Sequence, residues 1–199
     1  MVVFTRLRSM AATLSPEENE IATRAADRAS PGYRDGSMNL TFLAAAPTRP
    51  SRGLDHLHCE TVVPVPLERA FAFFADAANL EALTPPWLRF RILTPMPVVM
   101  RPGAEIDYRI TLYGIPIPWR SRIDVWEPGV RFVDRELVGP YWWWYHEHRF
   151  EAATGGTRVV DHVEYVARAR WVSSGFVRRD LDRIFTHRRH MLGRLLGNE

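Results

Sequence analysis

Between residues 88 and 168 the chain alternates apolar and polar side chains in short runs, a pattern typical of half-buried β-strands. In one run, for example, Ile106, Tyr108 and Ile110 alternate with charged neighbours. Glycine and proline residues separate the runs and predict turns. Together with an earlier run, the pattern predicts seven strands, at 56–63, 88–92, 106–112, 117–126, 130–138, 143–152 and 157–168.

Helical spacing appears before and after this region. Apolar residues from Leu67 to Phe74 recur three and four positions apart, which predicts a helix after the first strand. A second short helix is predicted at 79–83, because two prolines follow it. From about Gly175 a long apolar face predicts a final helix.

The order of these elements predicts a single α+β domain over residues 54–196. One strand comes first, then two short helices, six antiparallel strands and the long helix. A sheet of seven strands curls readily. If it curves around the last helix, the two enclose a space, so we expect an internal cavity.

Residues 1–53 follow a different pattern and predict a flexible N-terminal extension. Ser15 and Glu18 form a capping box, which predicts a short helix to about Ala29. Its apolar content is too small for a core, and turn-rich segments follow it. An alternative interpretation is that Met38 is the true start of the protein.

The basic residues exclude several classes of enzyme. All 26 of them are arginine, and lysine is absent. The chain therefore cannot form the lysine Schiff base of pyridoxal-phosphate enzymes. It also lacks the lysine of a Walker-A loop and of a protein kinase. Since Cys59 is the single cysteine, an intrachain disulfide and a thiolate zinc site are excluded as well.

Charge and hydropathy predict a cytoplasmic protein that binds no nucleic acid. The net charge is +3, and Asp180 and Asp182 interrupt the arginines of the last helix. That charged face, Arg188 included, is predicted to be solvated. No stretch approaches the roughly 20 apolar residues of a transmembrane segment. The N-terminus lacks the apolar region of a signal peptide, and a lone cysteine is typical of the cytoplasm.

The chain resembles the helix-grip fold of the START-related superfamily, often called SRPBCC. Three stretches carry the resemblance, at 66–90, 119–151 and 156–165, and they are most similar to small bacterial polyketide cyclase/dehydrase-like members. The resemblance implies a curved antiparallel sheet around a C-terminal helix, with a hydrophobic ligand between them. Relatives of this kind also occur fused to epimerase-like domains, which implies a possible epimerase-like partner protein. No dinucleotide-binding fingerprint is present.

The sharpest polar pattern is His146-Glu-His148. On a strand both imidazoles project to one face, and aromatic neighbours on that side indicate that it is the inner one. If 153–156 form the following loop, Asp161 lies opposite His148. Across the preceding turn, Glu136 is predicted to face His146.

Three interpretations of this pattern remain open. The first is a structural network of imidazoles and carboxylates that lines the cavity. The second is a ligand anchor or general acid/base pair, with His146, His148 and Asp161 as candidate catalytic residues. The third is a metal site of two histidines and one carboxylate. His146, His148 and Glu151 are similar to the first cupin motif, but the spacing from the histidines to Glu151 is one residue too short. No second cupin motif follows, so a cupin metal site is excluded. We predict no metal and no cofactor.

We predict that the domain binds a hydrophobic small molecule, such as a lipid, an isoprenoid or an aromatic polyketide-like compound. The alternative is a polyketide cyclase or dehydratase with His146 or His148 as acid/base. Alternation sends Trp142 and Trp144 inward and Trp143 outward. The residues predicted to contact the ligand are Ile106, Tyr108, Ile110, Trp119, Ile123, Glu136, Trp142, Trp144, His146, His148, Phe150 and Asp161.

Overall fold

The computed structural model of the chain describes residues 48–168 and 174–197. All the described residues belong to one compact unit of the chain, which contains every element given below. The helix predicted near the N-terminus, the turn-rich segment after it and Met38 lie outside the described residues, so the predicted extension and the alternative start stay predictions.

The secondary structure follows the order that the hydrophobic pattern predicts. The elements are β1 (Asp55–Val63), α1 (Leu67–Ala75), α2 (Asn79–Leu83), a 3₁₀ turn (Pro86–Leu88), β2 (Arg91–Ile92), β3 (Glu105–Leu112), β4 (Ile115–Glu127), β5 (Arg131–Val138), β6 (Tyr141–Ala153), β7 (Gly156–Ala167) and α3 (Ser174–Leu196).

The seven strands form one antiparallel sheet in the order β1-β7-β6-β5-β4-β3-β2. Strands β2 to β6 are each paired with the next strand along the chain. Strand β1 pairs with β7 from Asp55 opposite Tyr165 to Val63 opposite Thr157. The first and last strands are therefore neighbours. The predicted α+β class, with seven antiparallel strands and a long C-terminal helix, is confirmed.

Strand β2 is shorter than the pattern predicts. Leu88 ends the 3₁₀ turn that the two preceding prolines begin. Arg89 then adopts a left-handed backbone with φ of 44°, which is incompatible with a strand. Pairing with β3 therefore begins at Arg91.

Pairing around β6 determines which polar side chains meet. Strands β6 and β7 place His148 directly opposite Asp161, as the loop length predicts. On the other side, β5 places Asp134 opposite His146. These registers bring two carboxylates beside two imidazoles on one face of the sheet.

The prediction that Glu136 faces His146 is wrong, because the connection between β5 and β6 does not continue as a tight hairpin. The pairing between these strands ends at Arg135. Beyond it, the backbone N–H of Tyr141 donates a hydrogen bond of 3.0 Å to the Glu136 carboxyl group. The side chain of Glu136 thus closes the connection that backbone pairing leaves open.

The inner face of the sheet packs against the helices through two apolar clusters. In the first, Phe71 and Phe74 of α1 contact Phe150 of β6 and Leu192 of α3. The ring centroids of Phe74 and Phe150 are 5.1 Å apart in an edge-to-face arrangement, which is favourable for aromatic pairs. In the second cluster, Leu181 of α3 packs against the central strands. Neither α3 nor any other described helix has the length and apolar content needed to cross a bilayer.

Candidate functional site

A cavity of about 180 Å³ lies between the inner face of the sheet and the helices. Strands β3 to β6 form its sheet side, and α1, α2 and α3 contribute the opposite side. Its surface is mainly apolar, as in most small-molecule sites. Lining residues from the helices and connecting segments include Phe73, Leu80, Leu83, Leu88, Phe90, Met100, Leu181, Ile184 and Phe185.

Eight of the residues predicted to contact a ligand line this cavity. The alternation of β3 and β4 explains most of them, because every second side chain on these strands points inward. The eight residues are Ile106, Tyr108, Ile110, Trp119, Ile123, Trp144, His146 and His148. The structure therefore brings together the apolar and the imidazole parts of the predicted site.

Trp142 does not line the cavity, and the prediction that it points inward is wrong. The register of β6 against β7 shifts between Tyr141 and Trp143, as at a β-bulge, which breaks the alternation. Trp142 is therefore 38% exposed, and the Arg168 guanidinium lies 4.1 Å from its ring centroid. Tyr141 takes the inward position and lines the cavity instead.

Phe150, Glu136 and Asp161 are buried but lie behind the cavity surface. Phe150 belongs to the first apolar cluster. Glu136 lies against Gly139, where an added Cβ would come within 2.4 Å of the carboxyl carbon. Burial raises the pKa of Glu136 well above its ordinary value, despite the hydrogen bond from Tyr141. Glu136 therefore closes a turn and does not line the cavity.

A compact polar cluster forms one part of the cavity wall. We call Asp134, His146, His148 and Asp161 the His–Asp cluster. The Nε2 atom of His146 is 3.0 Å from Oδ1 of Asp161, and Nδ1 of His148 is 2.8 Å from the same oxygen. On the cavity side, Nε2 of His148 is 3.3 Å from Oδ2 of Asp134, and Nδ1 of His146 is 3.5 Å from it. The two ring centroids are 3.8 Å apart.

Asp134 is the residue of this cluster that was missed as a site candidate from the sequence. It shares the inner face of β5 with Phe132, so alternation alone places it correctly. The assumed register favoured Glu136 instead. Its second oxygen, Oδ1, lies 3.4 Å from the Ser121 hydroxyl, which in turn accepts a 3.1 Å hydrogen bond from the Trp119 indole.

Arg188 approaches the same cluster from α3, although the sequence predicted it on a solvated face. Its Nε atom is 3.8 Å from Oδ2 of Asp161, and its guanidinium lies 5.1 Å from the Phe74 ring centroid. The signal was present in the sequence, since Leu181, Phe185 and Arg188 are four and three positions apart. A basic residue in an apolar stripe thus indicated a buried partner.

Burial and charge act on the groups of the cluster in different directions. Burial, together with the charge of His148, lowers the pKa of His146 to about 4. Burial also acts to lower the pKa of His148, but its contacts with Asp134 and Asp161 outweigh burial and raise it. For Asp161, burial acts to raise the pKa, and Arg188 with the two imidazoles holds it well below the ordinary value. A proton therefore resides on His148 in preference to His146.

Two groups of side chains among the described residues could hold a metal ion. Oδ2 of Asp134, Nδ1 of His146 and Nε2 of His148 are ligand atoms within 4.8 Å of one another at the cavity wall. The second group, His56, His162 and Glu164, lies on the paired strands β1 and β7.

Comparisons with known proteins identify the fold. No family model and no curated protein matches the chain. Protein CV1439 from Chromobacterium violaceum is 15% identical, with a TM-score of 0.60, over 72% of this chain and 98% of that one. The ZhuI aromatase/cyclase from Streptomyces sp. R1128 is 17% identical, with a TM-score of 0.58, over 70% and 92%. Ara h 8.0201 is 17% identical, with a TM-score of 0.54, over 73% and 100%.

The expectation of an epimerase-like partner and that of a cytoplasmic location stay predictions.

The order of elements and the likeness to these structures agree with each other. They confirm that the chain has the helix-grip fold, as its sequence predicts.

Proposed function

We propose that the protein binds an apolar small molecule in the cavity between sheet and helices. The observation that carries this proposal is the lining itself. Ile106 and Ile110 of β3, Trp119 of β4 and Leu181 of α3 supply apolar area, while the His–Asp cluster supplies polar groups on one side. Such a wall suits a ligand with a hydrocarbon body and one oxygen-containing end.

The size of the cavity narrows the class of ligand. An engineered apolar cavity of about 150 Å³ is large enough for benzene, and this cavity measures about 180 Å³. A single aromatic ring or a short isoprenoid fits such a volume, whereas a long-chain lipid would extend through the mouth. Removing about 200 Å² of apolar ligand surface from water contributes about 5 kcal/mol, before the cost of association.

Titration with toluene by calorimetry tests this proposal. Ile110 is buried at the cavity surface, and Arg109 beside it faces outward on the same strand. We expect toluene to bind the unmodified chain and the Arg109→Trp control, and not the Ile110→Trp variant, whose indole fills the cavity. Equal binding to both variants, or no binding to the unmodified chain, would contradict the proposal. Native mass spectrometry of the purified protein would then identify the natural ligand by mass.

A second candidate function is a cyclase or dehydratase-type enzyme. One observation favours it: His146 and His148 both line the cavity, and buried carboxylates hold their rings in place. Positioned imidazoles of this kind can remove a proton next to a carbonyl group. Both candidate functions place the small molecule in the same cavity. They differ in whether the protein converts the bound molecule to a product.

Deuterium exchange at the carbon next to the carbonyl of phenylacetone separates the two candidates. The enzyme hypothesis expects the protein to accelerate exchange in D₂O, and the His146→Gln, His148→Gln double variant to lose the acceleration. If the ketone binds to the unmodified chain without accelerated exchange, the enzyme hypothesis fails and the binding function stands.

A further inference from the structure

We propose that Asp134, His146 and His148 form a binding site for one divalent transition-metal ion, with Zn²⁺ as the best fit, at the polar side of the cavity. This inference goes beyond the binding of an apolar ligand and does not depend on it. The three residues belong to β5 and β6, and all of them line the cavity. Imidazole nitrogen and carboxylate oxygen are ordinary ligands of zinc.

The two distances from the carboxylate oxygen to the imidazole nitrogens match the edges of a tetrahedron around zinc. Oδ2 of Asp134 is 3.3 Å from Nε2 of His148 and 3.5 Å from Nδ1 of His146. Atoms about 2.0–2.1 Å from a tetrahedral ion are about 3.3–3.4 Å from each other. An octahedral ion at that bond length would bring neighbouring ligands to about 3.0 Å. The observed spacing therefore favours tetrahedral zinc over octahedral magnesium.

The same two distances are long for direct hydrogen bonds. An N–H group and an oxygen are usually about 2.9–3.0 Å apart. The 3.3 Å contact of His148 with Asp134 is therefore a long hydrogen bond, and the 3.5 Å contact of His146 with Asp134 is ionic without a hydrogen bond. The opposite nitrogens of both rings, by contrast, lie 3.0 and 2.8 Å from Asp161. The rings thus contact Asp161 closely and leave a wider gap on the side of Asp134, where an ion fits.

Asp161 is placed as the outer partner that metal-binding histidines require. A histidine that binds a metal through one nitrogen commonly donates its other N–H to a carboxylate, which fixes the orientation of the ring. Here Nε2 of His146 is hydrogen-bonded to Oδ1 of Asp161, and Nδ1 of His148 lies 2.8 Å from the same oxygen in an ionic contact without hydrogen-bond geometry. This arrangement directs the other nitrogen of each ring toward Asp134.

The carboxylate ligand has its own support as well. Oδ1 of Asp134, the oxygen that does not face the imidazoles, lies 3.4 Å from the hydroxyl of Ser121. The Trp119 indole N–H holds that hydroxyl from the other side. A ligating carboxylate is typically oriented by such contacts, and here they leave Oδ2 available to the ion.

Charge also favours a cation at this position. Asp134 and Asp161 carry two negative charges, and Arg188 contributes one positive charge at 3.8 Å from Asp161. Metal ligation requires both imidazoles to be neutral, and in that state the two carboxylates and Arg188 leave one net negative charge, which the ion would compensate. Three protein ligands would leave the fourth zinc position open to the cavity, the arrangement of zinc sites that bind a further molecule.

The second group of possible ligands serves as a matched control. In that group Glu164 is occupied, because Arg49 holds both of its oxygens at 2.7 and 2.8 Å. His56 is exposed, and its Nδ1 is already in a 3.4 Å contact with Nε2 of His162. A zinc ion bound by the protein is therefore expected to depend on the cavity residues and to be indifferent to His162.

Zinc titration of the chelator-stripped full chain tests the proposal by calorimetry. We expect one Zn²⁺ per chain. Asp134→Asn and His148→Gln each remove a ligand and should weaken the zinc affinity by more than about 100-fold. Asp161→Asn removes an outer partner, so it should weaken the affinity by about 10–100-fold. His162→Gln should leave it unchanged. Absence of zinc binding, or equal affinity of Asp134→Asn and the unmodified chain, would overturn the site.

The visible absorption spectrum of bound Co²⁺ tests the site in the unmodified chain, so it does not require a variant to fold. Co²⁺ in a tetrahedral site absorbs visible light far more strongly than hydrated octahedral Co²⁺. We expect the unmodified chain to develop the intense tetrahedral bands at one equivalent of Co²⁺, and Zn²⁺ to abolish them by displacement. A weak octahedral spectrum, or loss of the bands in His162→Gln, would refute the assignment to the cavity residues.

Discussion

Replacement of Asp161 by asparagine should destabilise the metal-free protein far more than the same replacement at Asp107. Asp161 is 2% exposed, and its oxygens lie within 3.0 Å of both imidazoles and 3.8 Å from Arg188. The asparagine side chain would keep the shape but remove the charge that these groups face. Breaking one side of a buried ion pair costs about 3–5 kcal/mol, because the other charge stays buried.

Asp107 is the matched control, because it offers an ion pair of equally good geometry on the outer face. It contacts Arg120 through two hydrogen bonds of 2.6 and 2.9 Å, but its side chain is 39% exposed. Exposed ion pairs contribute about 0–1 kcal/mol. The two variants therefore make the same chemical change at sites that differ mainly in burial.

Thermal unfolding followed by tryptophan fluorescence measures both effects. For a chain of this length, 1 kcal/mol corresponds to roughly 2–4 °C in Tm, so Asp161→Asn should lower Tm by roughly 6–20 °C and Asp107→Asn by no more than about 4 °C. A loss below about 1 kcal/mol at Asp161, or equal losses at both sites, would refute the inference that the buried carboxylate balances the charge of the cluster.

Three glycine positions give further predictions that urea unfolding can check. Gly156→Ala should destabilise by several kcal/mol, because its Cβ would lie 2.0 Å from the Val63 carbonyl oxygen. The Gly103→Ala control, with positive φ but no atom within 4 Å, should cost about 1–2 kcal/mol of backbone strain alone. Gly139→Ala should cost more than Gly103→Ala, since it displaces the buried Glu136 carboxyl group; equal losses would contradict the close approach.

Hydrophobic periodicity was sufficient to predict the architecture because most elements obey one period along their whole length. Strand β3 shows this best. Its alternation places Ile106, Tyr108 and Ile110 at the cavity, as predicted. The position of Asp161 opposite His148 followed from one loop length. Both inferences need local information alone, which a sequence contains.

The wrong predictions concern residues where a strand departs from strict alternation, or where a turn determines the register of strand pairing. Trp142 faces outward because of the irregularity in β6 beside it, and nothing in an aromatic run reveals which residue is the extra one. Asp134 takes the place that Glu136 was predicted to fill, because the Glu136 carboxyl group closes the connection itself. Such a contact depends on the tertiary structure, so alternation could place both carboxylates on the inner face but could not choose between them.

Arg188 was misplaced for another reason, since helical spacing already put it in line with Leu181 and Phe185. Composition outweighed position in that prediction, because an arginine on an arginine-rich helix is usually solvated. The structure places it within 3.8 Å of Asp161. A buried carboxylate on the sheet and an arginine within the apolar stripe of the facing helix each indicate the other.

The apolar cavity and the proposed metal site adjoin each other, so a ligand with a donor atom that reaches the ion should couple the two binding events. If a ligand oxygen occupies the open zinc position, zinc raises the affinity for that ligand, and the ligand raises the affinity for zinc by the same factor. Toluene has no donor atom and should bind equally with and without zinc. Phenol has the same ring and one oxygen, so its affinity should rise with zinc. His146 and His148 line the cavity wall that the ligand contacts. If zinc changes the affinities for toluene and phenol by the same factor, the phenol oxygen does not bind the ion, and the two sites are independent.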